Sequence, residues 1–190
     1  MDAHELLLTR ASNGKLREPG PDEATLRAIV QAALRAPDHG LLRPWRLQVI
    51  RGEARARLGE VMREALSRRD PSAPHEALDK EQRKPLRAPV LVIVSACVRP
   101  NPKVPAIEQV LSAGALAHGL LLATHAHGFA GMWRTGPSAY DEHVKRALGI
   151  PAQDAVVGFL YLGTPSQPTP QTQRPTVDDV LQDWSSRLDQ

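Results

Sequence analysis

Residues 104–127 read VPAIEQVLSAGALAHGLLLATHAH, the most apolar long stretch in a chain of 190 residues. Its length and the absence of proline after Pro105 predict a long helix over 104–127. A membrane span needs about 20 mostly apolar residues. This run carries Glu108, Gln109, Ser112 and His118, so it reads as the buried core helix of a non-membrane protein. Gly114 and Gly119 allow a neighbouring element to pack closely against it. Upstream, residues 90–97 read VLVIVSAC, nearly unbroken in apolar character, with Pro100 and Pro102 just beyond. That pattern predicts a central buried strand. Downstream, residues 129–134 and 156–162 predict two further strands, with a short helix near 141–148 between them.

Towards the N-terminus, residues 2–10 form a short first helix and Asp22 caps a second. In that second helix Leu26, Ile29, Val30, Ala33 and Leu34 share one face, and Pro37 stops it. Residues 45–50 alternate as a strand with Trp45, Leu47 and Val49 on one side. Leu58, Val61, Met62, Ala65 and Leu66 return to helical spacing, and residues 70–75 form a loop. Beyond a proline-rich strip at 165–175, residues 176–188 predict a last amphipathic helix. The order is α, α, β, α, α, β, long α, β, α, β and tail, which describes an α+β or α/β arrangement in one domain.

Composition narrows the class. Hydrophobic residues make up 42% and charged residues 24% of the chain, near globular averages, which excludes a disordered tail protein. A chain of this length buries roughly 70% of its unfolded surface without a disulfide or metal staple. The one cysteine, Cys97, lies in an apolar run and has no partner for a disulfide, which fits a reducing, cytoplasmic setting. The opening MDAHELLLTR has an acid where a secretory leader carries basic residues. The formal net charge is +3, a small excess that suits an anionic small ligand as well as nucleic acid.

Three clusters offer chemistry: Arg10-Ala11-Ser12 with Lys15, Arg35-Ala36-Pro37-Asp38-His39, and Gly131-Met132-Trp133-Arg134-Thr135-Gly136. Each sets an arginine beside a turn or an element end, where it reaches outward. Arg10 with Ser12, and Arg134 with Thr135, pair a guanidinium with a hydroxyl, the donor set a phosphate monoester needs. Spacing alone leaves solvated surface arginines as the plainer alternative.

The segments MDAHELLLTRAS, LRAPDHGLLRPWRLQVI, KVPAIEQVLSAGALAHGLLLATHAHGFAGMWRTG and VVGFLYLGTP, taken in this order, resemble the flavin-dependent nitroreductase family. They are most similar to its small bacterial NAD(P)H members. The resemblance covers residues 1–165, and the tail at 166–190 lies beyond it. It implies an α+β fold with a central, mainly antiparallel sheet flanked by helices, and a homodimer holding FMN in grooves shared between subunits. By motif, Arg10, Ala11 and Ser12 would line the flavin from one subunit, and Arg35 and His39 would reach it from the partner. Trp133, Arg134 and Thr135 would complete the pocket, with Arg134 near the phosphate. Residues 123–128 would approach the nicotinamide of NADPH or NADH. Lys15 or Arg10 would face the N1 and C2 carbonyl edge of the flavin. Many members have a second arginine where this chain has Ala11, and serine is common where Thr135 stands.

The activity so implied is electron transfer from NAD(P)H through FMN to nitroaromatic, quinone or related electrophilic acceptors. The flavin carries the chemistry, and no protein acid or nucleophile is expected. The tail is expected to pack on the partner subunit. Two other tasks compete: a flavin-binding role without nitro reduction, and a basic nucleic-acid-binding module supported by Arg63, Arg68 and Arg69. His118, His125 and His127 lack neighbouring ligand residues at metal spacing and read as packed or partly exposed histidines. Cys97 reads as a small core residue, and Glu108 as compensation of the helix dipole.

Overall fold

The computed structural model describes residues 2–170 and 172–185. Helix α1 covers Ala3–Thr9, strand β1 Leu16–Arg17, α2 Glu23–Ala33, β2 Trp45–Arg51, α3 Ala54–Arg69, α4 His75–Arg83 and β3 Val90–Ala96. Then come α5 at Ala106–Ala126, β4 at Ala130–Arg134, α6 at Glu142–Ala147 and β5 at Ala155–Pro165. Apart from the two-residue β1, this is the order that hydrophobic periodicity predicts.

The strands form one five-stranded sheet in the order β1-β5-β3-β2, with β4 also paired to β5. Every pairing among these strands is antiparallel. β3 lies between β2 and β5 and is buried along its whole length. Its alternate side chains enter two different cores. Val90, Val92, Val94 and Ala96 pack with α2 and α5 on one face. Leu91 and Ile93 pack with Leu58, Met62 and Val144 of α3 and α6 on the other. Both faces are covered, which is why the strand reads as a continuous apolar run rather than an alternating one. Burying each of its larger side chains stabilises the fold by roughly 1.5–3 kcal/mol.

Helix α5 is 21 residues long, about 31 Å at 1.5 Å per residue. Ala113, Leu116, Ala117 and Leu120 are fully buried, so it is the core helix its sequence predicts. Gly119 lets it approach α2, where a Cβ would come within 3.3 Å of the Ala33 Cα. The opposite stripe is open: Ile107 and Leu111 are 61% and 63% exposed, with His118 exposed further along.

The predicted helix at 176–188 is not formed in its described part, and residues 186–188 lie outside the described residues. A turn forms where Leu181 N donates to Val177 O at 2.8 Å. Val177, Val180, Leu181 and Trp184 are all between 66% and 72% exposed. An amphipathic segment of this length stays helical only with a surface to bury its apolar face against, and these four side chains find none among the described residues.

Gly158 illustrates how tightly the sheet is packed. A Cβ there would come within 2.1 Å of the Trp133 indole nitrogen, whose N–H donates to Val157 O at 3.0 Å. Gly158→Ala is therefore expected to cost about 1–3 kcal/mol through overpacking, seen as a lowered melting temperature by circular dichroism. An unchanged melting temperature would contradict this packing.

Candidate active site

The first cluster folds around Asn13. Arg10 ends α1, and the chain then crosses to the sheet, where Asn13 N donates to Gly131 O at 3.0 Å. The Asn13 side chain is only 1% exposed. Its amide donates to Gln167 O at 3.1 Å and to Thr169 Oγ1 at 3.3 Å, and its carbonyl accepts from Lys15 N at 2.9 Å. One residue thus ties the 10–15 loop to β4 and to the segment after β5. Ser166 completes the tie by donating to Lys15 O through its N–H, at 2.8 Å, and its hydroxyl, at 3.0 Å.

This arrangement joins the first and third clusters. A Cβ on Gly14 would lie 2.9 Å from Met132 Sδ and 3.1 Å from an Arg134 guanidinium nitrogen. Arg134 reaches a cleft of about 290 Å³ lined by Met62, Lys84, Arg87, Ser138 and Tyr161 among others. Lys84 is paired with Glu81, whereas Arg87 and Arg134 form no ion pair among the described residues. Burial pushes the Tyr161 phenol above its ordinary range, although Arg87 and Arg134 oppose the shift, so the hydroxyl stays protonated at neutral pH. Trp133 turns towards α5 with its N–H satisfied by Val157 O. Thr135 sits exposed just past the strand.

A second cleft of about 400 Å³ opens beside Arg10 and is lined by Leu8, Ala11, Thr169, Thr172 and Arg174. Burial lowers the Arg10 pKa from its ordinary value, and the nearby Arg174 lowers it further. Two like charges converge here with hydroxyl groups and no carboxylate partner among the described residues. Such an arrangement would be relieved by a bound anion. Ser12 and Lys15 lie exposed on the intervening loop.

The second cluster lies elsewhere. Arg35 and His39 are exposed, and their segment packs on the first turns of α5. His39 Nδ1 meets Glu108 Oε2 at 2.5 Å, and Ser112 Oγ donates to Pro37 O at 2.7 Å. The turn that follows is strained: Gly40, Leu41 and Arg43 have φ of 71°, 54° and 48°. Left-handed backbone at the two non-glycine residues costs on the order of 1–3 kcal/mol each. Asp38 helps hold it by accepting from Arg43 N at 2.7 Å. At the other end of α5, Thr9 Oγ1 contacts His125 Nε2 at 3.3 Å. Glu108 and His125 are 17 residues apart in one helix, about 26 Å along its axis. The structure thus gathers Arg10, Ala11, Ser12, Lys15 and Arg134 around the 10–15 loop, with Thr135 just beyond Arg134. It sets the Trp133 ring against Gly114 midway along α5, His39 at the N-terminal end of α5, and Arg35 just past Ala33, which lies against Gly119.

Sequence reasoning missed Asn13, Lys84, Arg87 and Arg174. Asn13 was legible as the residue between Ser12 and Lys15, whereas the others become neighbours of the site only through the fold. Among the described residues no three metal-ligating side chains gather. Of the 123–128 stretch, Ala123 and Thr124 are buried, and residues 126–128 face outward.

The fold is a sheet covered on both faces by helices, and comparison with known proteins identifies its family. The Nitroreductase family model matches residues 8–164, and the chain belongs to that family. It is 42% identical over 165 residues to an Escherichia coli K12 protein named "Putative NAD(P)H nitroreductase YdjA", covering 87% of this chain and 89% of that one. The fold is also that of a nitroreductase-like protein from Bacillus cereus (TM-score 0.83, 17% identity, 96% of each chain). It is shared too by the FMN-dependent nitroreductase NfnB of Mycobacterium smegmatis, solved with NADPH (TM-score 0.76, 20% identity, 95% of this chain and 97% of that one).

Cys97 stands apart from these clefts. Burial, reinforced by the Asp154 carboxylate, raises its thiol pKa, so little thiolate forms at neutral pH. Labelling by a thiol-specific reagent at pH 7 is expected to be slower than for free cysteine and to accelerate in alkali. Labelling as fast as the free amino acid would contradict that environment.

Proposed function

We propose that the chain is an FMN-dependent oxidoreductase that passes electrons from NAD(P)H to nitroaromatic, quinone or related electrophilic acceptors. It would act as a homodimer with each flavin held between subunits. The observation that carries this reading is the separation along α5. Within one chain Thr9, beside Arg10, meets His125 while His39 meets Glu108, about 26 Å away along the helix axis, too far for one flavin to touch both. A two-fold partner running across the open α5 stripe would bring one subunit's Arg35 and His39 to the other's Arg10 end. Ile107 and Leu111, exposed on that stripe, supply apolar surface for such a contact.

The residues present fit the cofactor. Arg10 and Arg174, with the Thr169 and Thr172 hydroxyls beside them, suit a phosphate monoester. Because Arg10 and Arg174 line one cleft with two threonine hydroxyls, we assign the phosphate to this pair and place Arg134 on the other side of the 10–15 loop. There Arg134 and Lys84, with Lys15 on the loop, would favour the anionic edge of a reduced flavin. Bound flavin supplies a two-electron carrier that takes hydride from a nicotinamide and yields electrons to an acceptor. The chain's task is to bind, orient and bias that carrier electrostatically. Trp133 and the Tyr161 phenol supply wall and shape, and neither is assigned a proton transfer.

The tail would seat its exposed apolar side chains on the partner while carrying Arg174 to the site. The basic surface that suggested nucleic-acid binding is largely neutralised: Arg63 pairs with Asp79 at 2.5 Å and Arg69 with Asp141 at 2.7 Å.

The purified protein is expected to be yellow, or to become so with added FMN, and to bleach anaerobically with NADH or NADPH. A yellow protein that neither donor bleaches would indicate a different flavin task, and one that refuses FMN would overturn the reading. Arg10→Ala and Arg174→Ala should each weaken FMN binding at least about tenfold, since a charge-assisted contact contributes roughly 1.5–3 kcal/mol. Removal of residues 166–190 should lower both flavin retention and melting temperature, measured by gel filtration and thermal denaturation.

A further inference from the structure

We infer that Glu108 is a positioning residue for the flavin site of the partner subunit, acting through His39. This inference rests on the shared-site reading above and names a part of it that no sequence motif supplies. The evidence is a bracket on the first turns of α5. Glu108 and Ser112 stand one helical turn apart on the same face, and both hold the 37–39 segment. Ser112 Oγ donates to Pro37 O at 2.7 Å, and Glu108 Oε2 accepts from His39 Nδ1 at 2.5 Å.

A role in stability does not account for the His39–Glu108 pair. Its side chains are 58% and 42% exposed, and ion pairs so open to solvent contribute little to folding. Compensation of the helix dipole does not account for it either, because any exposed acid in the first turn would serve without reaching a particular imidazole. The pair does fix the ring. With Nδ1–H committed to a carboxylate, the tautomer of the neutral ring is set and Nε2 is left as the acceptor available to a ligand. The surrounding turn is held in a conformation its residues disfavour, with Leu41 and Arg43 at positive φ and the Leu41 side chain 79% exposed. Strain of this kind persists where neighbouring bonds over-determine the backbone, and it concentrates at ligand contacts. The bracket and the strained turn together present His39 to a surface outside its own chain.

The test is a double-mutant cycle on FMN affinity, followed by quenching of flavin fluorescence, with wild type, Glu108→Leu, His39→Ala and the double variant. Glu108→Leu should weaken binding about tenfold, the scale of one lost hydrogen bond to a charged group. His39→Ala should do the same, and the double variant should be no weaker than His39→Ala alone. Glu108→Gln, which keeps an acceptor for Nδ1–H, should restore most of the affinity. Long-range ¹H–¹⁵N NMR spectra of the flavin-free protein give a readout that needs no cofactor. The His39 ring should show the Nδ1–H tautomer in wild type and Glu108→Gln, and a tautomer mixture in Glu108→Leu.

Penalties that add fully in the double variant would mean that Glu108 acts independently of His39, overturning the inference. So would a Glu108→Leu protein with wild-type affinity while His39→Ala is impaired, an outcome that leaves the shared-site reading standing. If wild type binds FMN and His39→Ala binds it equally well, the assignment of His39 to the flavin fails and the role of Glu108 falls with it.

Discussion

A helix cannot shorten, and the site depends on that. α5 is a stiff rod of 21 residues, pinned into the core by Leu116 and Leu120 on one side and left open on the other. His39, on Glu108 at its N-terminal end, is held about 26 Å along the axis from Thr9, on His125 at its C-terminal end. Arg10 follows Thr9 and shares a cleft with Arg174. No rotamer change or loop adjustment in one chain closes such a gap, whereas a two-fold axis across the open stripe closes it twice. The inferred role of Glu108 follows from the same constraint, since a side chain that orients a ring for another subunit must itself be anchored on something rigid.

The loop that follows α1 is held by polar bonds rather than by apolar packing. Asn13 donates to two residues beyond β5, accepts from Lys15 and donates from its own backbone to Gly131. A buried amide with these partners is costly to disturb, because a lost partner leaves a desolvated group unpaired. It sets the loop that carries Ser12 and Lys15 between two cationic clefts. Gly14 lets Arg134 pass close behind the loop, where a Cβ would stand 3.1 Å from the guanidinium. The arginines are thereby kept near one another without carboxylates, the condition under which an anion binds rather than being merely attracted.

Much of this architecture was legible in the sequence. β3 and α5 announced themselves because burial on two sides leaves an unbroken apolar run, and the second helix because its apolar face repeats every three or four residues. What was not legible came from contacts between distant segments. β1 is two residues long and exists because Leu16 and Arg17 meet Pro165 and Thr164. The tail has a helical pattern, but among the described residues its apolar side chains stay exposed and no regular helix forms. Arg174, in a proline-rich strip, becomes a site residue solely because the chain after β5 folds back on Arg10. Glu108 looked like a dipole partner, since nothing in its own helix points to an imidazole 69 positions earlier.

The central claim is that each flavin is held by two chains, and subunit exchange tests it most directly. One variant would lack Arg10 and Arg174, the other Arg35 and His39, so that each homodimer loses part of both sites. When the two are mixed and allowed to exchange, every heterodimer holds one site with all four residues and one with none. Random exchange should then restore tight FMN binding at about a quarter of all sites, the share expected for a two-fold dimer. If mixing restores nothing although exchange is demonstrated, the flavin is held within single chains and the account is wrong.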